Sequence, residues 1–192
     1  MKLAVIGAGV TGITTAYFLR QAGHEVTVID ANPYPAMLAS HANGGQLSAS
    51  NSEVWNSWAN VRKGIAWSFK RDAPLKMRYD LDFAKYKWLI QFMSNIKYAK
   101  ENTMTTTEMA MHSIRIMRTE FEDIEYDRSD CGIMHIYKNE KDYKHAKEMN
   151  KIYKAGGLHR SEINENMIKL KEPRLEANDL VGGMYTSYDG VG

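Results

Sequence analysis

An α/β fold that opens with a parallel βαβ unit is what this sequence predicts, and three observations predict it. A short apolar run at residues 3–6 stops at a glycine and is too short for a helix. A glycine-spaced turn, Gly7-Ala8-Gly9-Val10-Thr11-Gly12, then leads into a segment of helical character that ends at Gly23. A second β-branched run, Glu25-Val26-Thr27-Val28-Ile29, closes at Asp30. Strand, tight turn, helix and strand in so short a stretch make the two strands parallel, by the handedness of such crossovers.

The elements follow in order. Residues 3–6 form a buried strand, residues 10–22 a helix stopped by Gly23, and residues 25–29 the second strand. After Asp30 the regular alternation ends. Asn32-Pro33-Tyr34-Pro35 is a loop, and residues 40–52 are small and polar around Gly44-Gly45. Leu89, Phe92, Met93 and Ile96 recur at helical spacing and predict a helix over 83–96. Thr105 and Glu108 have capping-box spacing, which predicts a further helix over 105–124 with Ala110, Ile114, Met117, Phe121 and Ile124 on one face. A strand over 133–137, a lysine-studded helix over 140–155 ended by Gly156-Gly157, and a strand over 180–186 complete the reading.

Two clear parallel strands fall short of the roughly four to six that an open doubly wound sheet uses. The chain also stops at Asp189-Gly190-Val191-Gly192, a turn signal that should lead onward. The expectation is therefore the N-terminal part of a longer protein, incomplete as a fold.

Composition removes several function classes. Of 192 residues, 44% are hydrophobic and 25% charged, as in an ordinary globular protein rather than a disordered one. The formal charge of +2 argues against a dedicated nucleic-acid binder. One cysteine, Cys131, cannot pair internally; it points to a reducing, cytoplasmic home and is expected to be buried beside Gly132. His24, His41, His112, His135, His145 and His159 show neither triad nor metal spacing, so no metal ligand is expected. Met104, Met109, Met111 and Met117 read as helix core. No apolar stretch approaches the roughly 20 residues of a membrane span.

The chemistry begins at the first turn. In G-x-G-x-x-G after a strand and before a helix, Gly7 makes the tight turn, Gly9 lets backbone approach a pyrophosphate, and Gly12 lets helix and strand pack. The backbone of Gly7 to Gly12, including Ala8, Val10 and Thr11, then faces the phosphates at a helix N-terminus with its partial positive charge. Asp30, with Ala31 beside it, ends the second strand, where a carboxylate accepts hydrogen bonds from a ribose diol and repels a 2′-phosphate. An adenine dinucleotide is the expected ligand, NAD and FAD both remaining open. Ser40-His41-Ala42-Asn43-Gly44-Gly45-Gln46 is either an ordinary loop or a set of small donors set against a flat ring.

GAGVTG, AGHEVTVID and SHANGGQLS together resemble the flavin-binding region of the D-amino acid oxidase-like family, closest to its dehydrogenase branch. Trp55, Trp58 and Trp67, then Ala73-Pro74-Leu75 before Lys76, Lys171-Glu172-Pro173-Arg174-Leu175 and Val181-Gly182-Gly183-Met184 extend the resemblance over the whole chain. Two positions depart from the family pattern: Ala39, where a hydroxyl is common, and Gly44, where a small non-glycine residue is usual.

The resemblance implies a Rossmann-like FAD-binding βαβ unit joined to a partial α+β substrate or cap region. Residues 1–50 would be the start of the FAD-binding domain, and 51–192 a helical insertion with part of the substrate domain. It implies FAD as cofactor, with Gly7, Ala8, Gly9, Val10, Thr11, Gly12, Asp30 and Ala31 on the dinucleotide and Ser40, Asn43, Gly44, Gly45 and Gln46 near the ring. It implies oxidative deamination of D-amino acids by hydride transfer from Cα to the flavin, with electrons passed to a quinone-type acceptor. The family's substrate-holding residues come from beyond Gly192, so no catalytic residue is expected here. The rival readings are an NAD-dependent dehydrogenase and a non-catalytic, truncated nucleotide-binding fragment.

One surface feature stands apart. Residues 62–78 carry Arg62, Lys63, Lys70, Arg71, Lys76 and Arg78 against Asp72 alone, with Trp67 and Phe69 interleaved. Such a segment either packs as a basic surface loop or touches an anionic membrane from the cytoplasmic side.

Overall fold

A computed structural model describes residues 1–74, 80–176 and 179–192. The chain divides into two compact units, Met1–Gly45 and Gln46–Gly192.

In the first unit, β1 (Lys2–Ile6) and β2 (Glu25–Ile29) pair in parallel, Lys2 opposite Glu25 and Ile6 opposite Ile29. The crossover between them is α1 (Val10–Gln21). The helix ends where expected: Gly23 takes φ +82°, which a Cβ would disfavour, and its N–H returns to the Arg20 carbonyl. The expectation of a buried strand is corrected. Both strands alternate half-buried with exposed residues, and Ile6 stays 86% exposed. One helix covers one face of a two-stranded ribbon, so the other face has nothing against it within this unit.

The second unit begins with β3 (Gln46–Leu47), followed by a 3₁₀ turn at Ala49–Asn51. Next come α2 (Trp58–Ser68), an element that the sequence pattern does not single out, and α3 (Phe83–Ser94). Asp82 begins α3 by accepting from the N–H groups of Ala84 and Lys85. A 3₁₀ turn at Asn95–Tyr98 then leads into α4 (Ala99–Thr119).

The start of α4 corrects the capping-box expectation, because Thr105 lies in the second turn rather than at the N-terminus. The hydroxyls of the threonine run find acceptors both one turn back and in the Ser52 segment, where Thr106 donates to the Ser52 carbonyl at 2.8 Å. Thr107 donates to the Thr103 carbonyl at 2.7 Å and Thr106 to the Asn102 carbonyl at 2.9 Å. The helix also ends five residues before Ile124, which is 58% exposed. Of the methionines expected in its core, Met109 is 65% exposed; the buried positions are Thr103, Thr107 and Ile114.

The rest of the unit is β4 (Ile133–Tyr137), α5 (Glu140–Ala155), β5 (Ser161–Ile163), α6 (Glu165–Lys171), β6 (Gly182–Thr186) and β7 (Gly190–Val191). Strands β4, β6 and β5 form an antiparallel sheet with β6 in the centre, and β3 pairs antiparallel with β7. The core lies between α4 and α5, where Ile114, Met149, Tyr153, Leu158 and Ala49 are buried together. Gly156 permits this approach, since a Cβ there would sit 2.9 Å from the Thr107 Cβ. Cys131 is exposed, which corrects the expectation that it is buried. The Tyr185 ring fills the space over Gly132 instead, and its hydroxyl donates to the Cys131 carbonyl at 2.9 Å.

Candidate functional site

The glycine turn of the first unit is built as its spacing requires. Gly7 has φ +100° and donates its N–H to the Ile29 carbonyl at 2.7 Å, tying the turn to the end of β2. A Cβ on Gly12 would overlap the Gly7 carbonyl oxygen, so only glycine lets α1 start against the turn. Gly9 is the extended N-cap residue of α1 and offers no side chain to its free N–H groups, and the first turn of the helix carries no acid. The positive end of α1 thus carries no acid in its own first turn.

Two side chains reach this turn. Asp30 Oδ2 accepts from the Ala8 N–H at 2.6 Å, and Oδ1 accepts from the backbone N–H of Asn32 at 2.7 Å and its Nδ2 at 3.0 Å. The bond from Ala8, then those from Asn32, hold the Asp30 carboxyl below the usual carboxylate range. It is an ionised, oriented and solvent-facing acceptor beside the turn. Ala31 follows it on the surface.

Ser40 occupies a place the sequence did not indicate. Its Oγ accepts from the Val10 N–H at 2.9 Å, and a Cβ on Gly9 would lie 3.1 Å from it. The hydroxyl therefore sits at the N-terminus of α1, with the phosphate-facing backbone. Asn43 folds its own loop, its Oδ1 accepting from the Gly45 N–H at 2.7 Å, and Gly45 takes φ +57°. Gly44 has open space around it.

Gln46 belongs to the second unit, pairing with Val191 in the β3–β7 ladder. What fixes that ladder is Asp189, a fully buried carboxylate. Its oxygens accept from Ser48 Oγ at 2.9 Å, Ala49 N–H at 2.9 Å, Ser50 N–H at 3.3 Å and the Ser50 hydroxyl. Sequence reasoning reads Asp189 only as a turn residue. The usable signal is the Ser48-Ala49-Ser50-Asn51-Ser52 run, whose polarity demands a buried acceptor if it packs.

His135, one of the scattered histidines, also takes a specific position. Its Nε2 lies 3.0 Å from Asn51 Oδ1, while Asn51 Nδ2 donates to Gln46 Oε1 at 3.1 Å. The glycine pair of β6 serves packing rather than ligand approach, since a Cβ on Gly182 would lie 2.7 Å from the Tyr143 ring.

A protein-family description, "DAO: FAD dependent oxidoreductase", matches residues 2–191. The chain is 43% identical over 195 residues to D-amino acid dehydrogenase 3 of Mesorhizobium japonicum, and 33% identical over 199 residues to D-amino acid dehydrogenase of Dechloromonas aromatica. Each alignment covers 100% of this chain and 47% of the relative, so the chain spans about half the length of the curated relatives it matches. Among solved structures, L-proline dehydrogenase from P. horikoshii superposes with a TM-score of 0.63 at 18% identity, covering 100% of this chain and 37% of that one. That likeness shows a shared fold. The family is flavin-dependent, which removes the nicotinamide alternative left open by the glycine turn. A glycine turn with Gly12 closed to any Cβ, a helix whose first turn carries no acid and an ionised carboxylate at the end of β2 are the features an FAD family needs at its first turn, and by its match over residues 2–191 this chain belongs to the FAD-dependent oxidoreductase (DAO) family.

Proposed function

We propose that this chain carries the nucleotide-holding part of an FAD-dependent D-amino acid dehydrogenase. The observation that carries the reading is the turn itself: Gly12 admits no Cβ, the first turn of α1 carries no acid, and Asp30 is fixed beside it. The backbone from Gly7 to Gly12 and the Ser40 hydroxyl hold the FAD pyrophosphate, and Asp30 takes the adenosine ribose. Asn43, Gly44 and Gly45 lie along the ring. Bound FAD supplies a two-electron acceptor for the hydride from Cα of a D-amino acid, the imino acid then hydrolysing and the electrons passing to a quinone-type acceptor. This chain's share of that chemistry is binding and orientation.

The enzyme of the relatives' full length, purified at neutral pH, should retain flavin and release free FAD on denaturation, whereas residues 1–192 alone should hold FAD poorly and show no turnover. Dye reduction dependent on D- but not L-amino acids should follow in the enzyme of the relatives' full length. A colourless preparation that binds no added FAD would overturn the reading.

The same proposal extends to location, at the inner face of a membrane that holds the acceptor. On α2 and just after it, Trp58, Ile65 and Phe69 are exposed at helical spacing, at 58%, 57% and 86%, with Arg62, Lys63, Lys70 and Arg71 exposed around them. Lys76 and Arg78 lie outside the described residues. An apolar stripe flanked by cations suits an anionic lipid surface, each cation contributing about 1 kcal/mol. Co-sedimentation with anionic vesicles should fall for Lys70→Glu with Arg71→Glu and in high salt. Among the described residues, no helix is long and apolar enough to cross a membrane.

A further inference from the structure

An open cleft of about 350 Å³ lies within the second unit, between the segment that leads into α2 and helix α3. The rings of Trp55, Trp88 and Phe92 line it, with Asn56, Gln91 and Asn95 among them. Clefts that hold small molecules begin at about 300 Å³.

The backbone behind these rings is pinned from several sides. Val54 donates its N–H to Thr103 Oγ1 of α4 at 3.2 Å. The Trp55 carbonyl accepts from the Ser57 N–H at 3.0 Å and from Asn60 Nδ2 at 2.6 Å. Asn56 Nδ2 reaches across to the Asn95 carbonyl at 3.2 Å, and Asn95 Nδ2 bonds the Gln91 carbonyl at 2.8 Å. Phe92 meets Trp55 edge-on at a centroid distance of 5.4 Å and lies 5.3 Å from the ring of Trp88, one turn back on α3. Yet Trp55 and Trp88 stay 64% and 49% exposed. The rings are held in place and left uncovered, which is the state of a preformed apolar surface.

The lining selects the chemistry of what would cover it. Among the described residues, none that lines the cleft is charged, so an ionic ligand finds no counter-ion there. Lys87 on α3 and Lys97 just beyond it, both exposed, further oppose an organic cation. Three aromatic rings favour a flat conjugated ring, which they can stack on or meet edge-on. Neither indole N–H has a hydrogen-bond partner among the described residues, and an N–H donor is satisfied by a carbonyl oxygen.

We propose that this cleft binds a flat, uncharged ring bearing carbonyl oxygens, which is the chemistry of a quinone. That the ring is a quinone rests on the acceptor reading above, while the selection of a flat neutral ring rests on the cleft's walls alone. Trp55 stands three residues before Trp58, where the exposed stripe of α2 begins, so cleft and stripe adjoin along the chain. A lipid-soluble ring is the ligand that both features serve.

Tryptophan fluorescence reads this without flavin. The probe is tetramethyl-1,4-benzoquinone, whose ring has no free position for the exposed Cys131 to attack. Titrated into the 192-residue chain, it should quench saturably. Trp88→Leu should weaken the apparent affinity about tenfold. Trp88→Phe, which keeps a ring but loses the N–H, should weaken it less, and Trp67→Phe, outside the lining, should leave it unchanged. Tetramethylbenzene, the same ring without carbonyls, should compete more weakly, and benzoate and benzyltrimethylammonium should not compete. Linear quenching without saturation, or equal affinity in Trp88→Leu, would overturn the site. Competition by benzyltrimethylammonium would make it a cation site instead. Self-association of the chain that Trp88→Leu abolishes, with no saturable quenching, would assign the cleft to a second copy and overturn the proposal. In the enzyme of the relatives' full length, Trp88→Leu should raise KM for the quinone and leave KM for the D-amino acid unchanged. Saturable binding to the chain with an unaltered quinone KM would keep the ring site and sink the acceptor reading.

Discussion

Asp30 and Asp189 do the same local chemistry with opposite consequences. Each carboxylate accepts backbone N–H groups at a turn: Asp30 from Ala8 and Asn32, Asp189 from Ala49 and Ser50. Asp30 is exposed and bonds across a tight βαβ crossover, so its charge stays in water and open to a ligand. Asp189 is 0% exposed and bonds to residues 139 to 141 positions away, so its acceptor capacity is consumed by its own chain. A ligand-facing carboxylate can be anchored with part of its oxygens. A structural one must have all of them used, because a buried unpaired charge is far more costly than an exposed one.

Asp189→Ala is the sharpest way to break this contrast. It strands two buried N–H groups and two hydroxyls and should destabilise the second unit by about 3–5 kcal/mol in denaturant titration. Asp30→Ala should leave the denaturation midpoint near the wild-type value and act on FAD binding instead. Equal destabilisation by the two would show that Asp30 is structural as well.

Gly12→Ala comes next. Its Cβ must displace the Gly7 carbonyl or the start of α1, a strain of about 1–3 kcal/mol, and FAD uptake should be lost even where the chain still folds. Below that stands a comparison within the first turn, where Asp30→Ala should weaken FAD binding more than Ser40→Ala. An ionised acceptor bonds more strongly than a neutral hydroxyl, whose contact is worth about 1 kcal/mol. Equal losses in an FAD titration of the apo-protein would mean that the ribose does not meet Asp30.

The smallest effect is on pH dependence. Burial lowers the pKa of His135 in the fold, so the neutral ring is favoured there. Its contribution to stability is fully present above the unfolded imidazole value of about 6.5 and is lost as pH falls through the lower folded value. His135→Gln should flatten that part of the stability curve while keeping an N–H donor for Asn51. An unchanged acid limb would mean that other groups carry it.

The first unit was readable because its logic is local. Three glycines and two β-branched runs fix a crossover whose partners lie within 30 residues, and β1, α1 and β2 fall within a residue or so of the expected bounds. The second unit follows long-range constraints that no window of sequence displays. Thr105 looks like a helix start because threonine caps helices, yet the run is internal, its hydroxyls returning to carbonyls one turn back. Strands β3 and β7 are two residues each and exist because they pair with each other. The Ser40 hydroxyl was legible as a small polar group but not as a cap for Val10, since that depends on how the 31–45 loop returns to α1. Cys131 escapes a local reading for a similar reason: the Tyr185 ring, 54 residues away, takes the space beside Gly132.

The span of the Asp189 clasp has a temporal meaning. Ser48, Ala49 and Ser50 leave the ribosome about 140 residues before their acceptor does. At the usual pace of synthesis, roughly 5–20 residues per second, that interval is many seconds. During it the 48–50 donors have only water to bond, and Gln46–Leu47 has no β7 to pair with. The first unit, whose contacts close within 45 residues, can fold in that time. Closing so long a loop carries an entropy that only the assembled α4–α5 core can offset. The order of events is thus written into the spacing: nucleotide turn first, helical core second, and the clasp last of all.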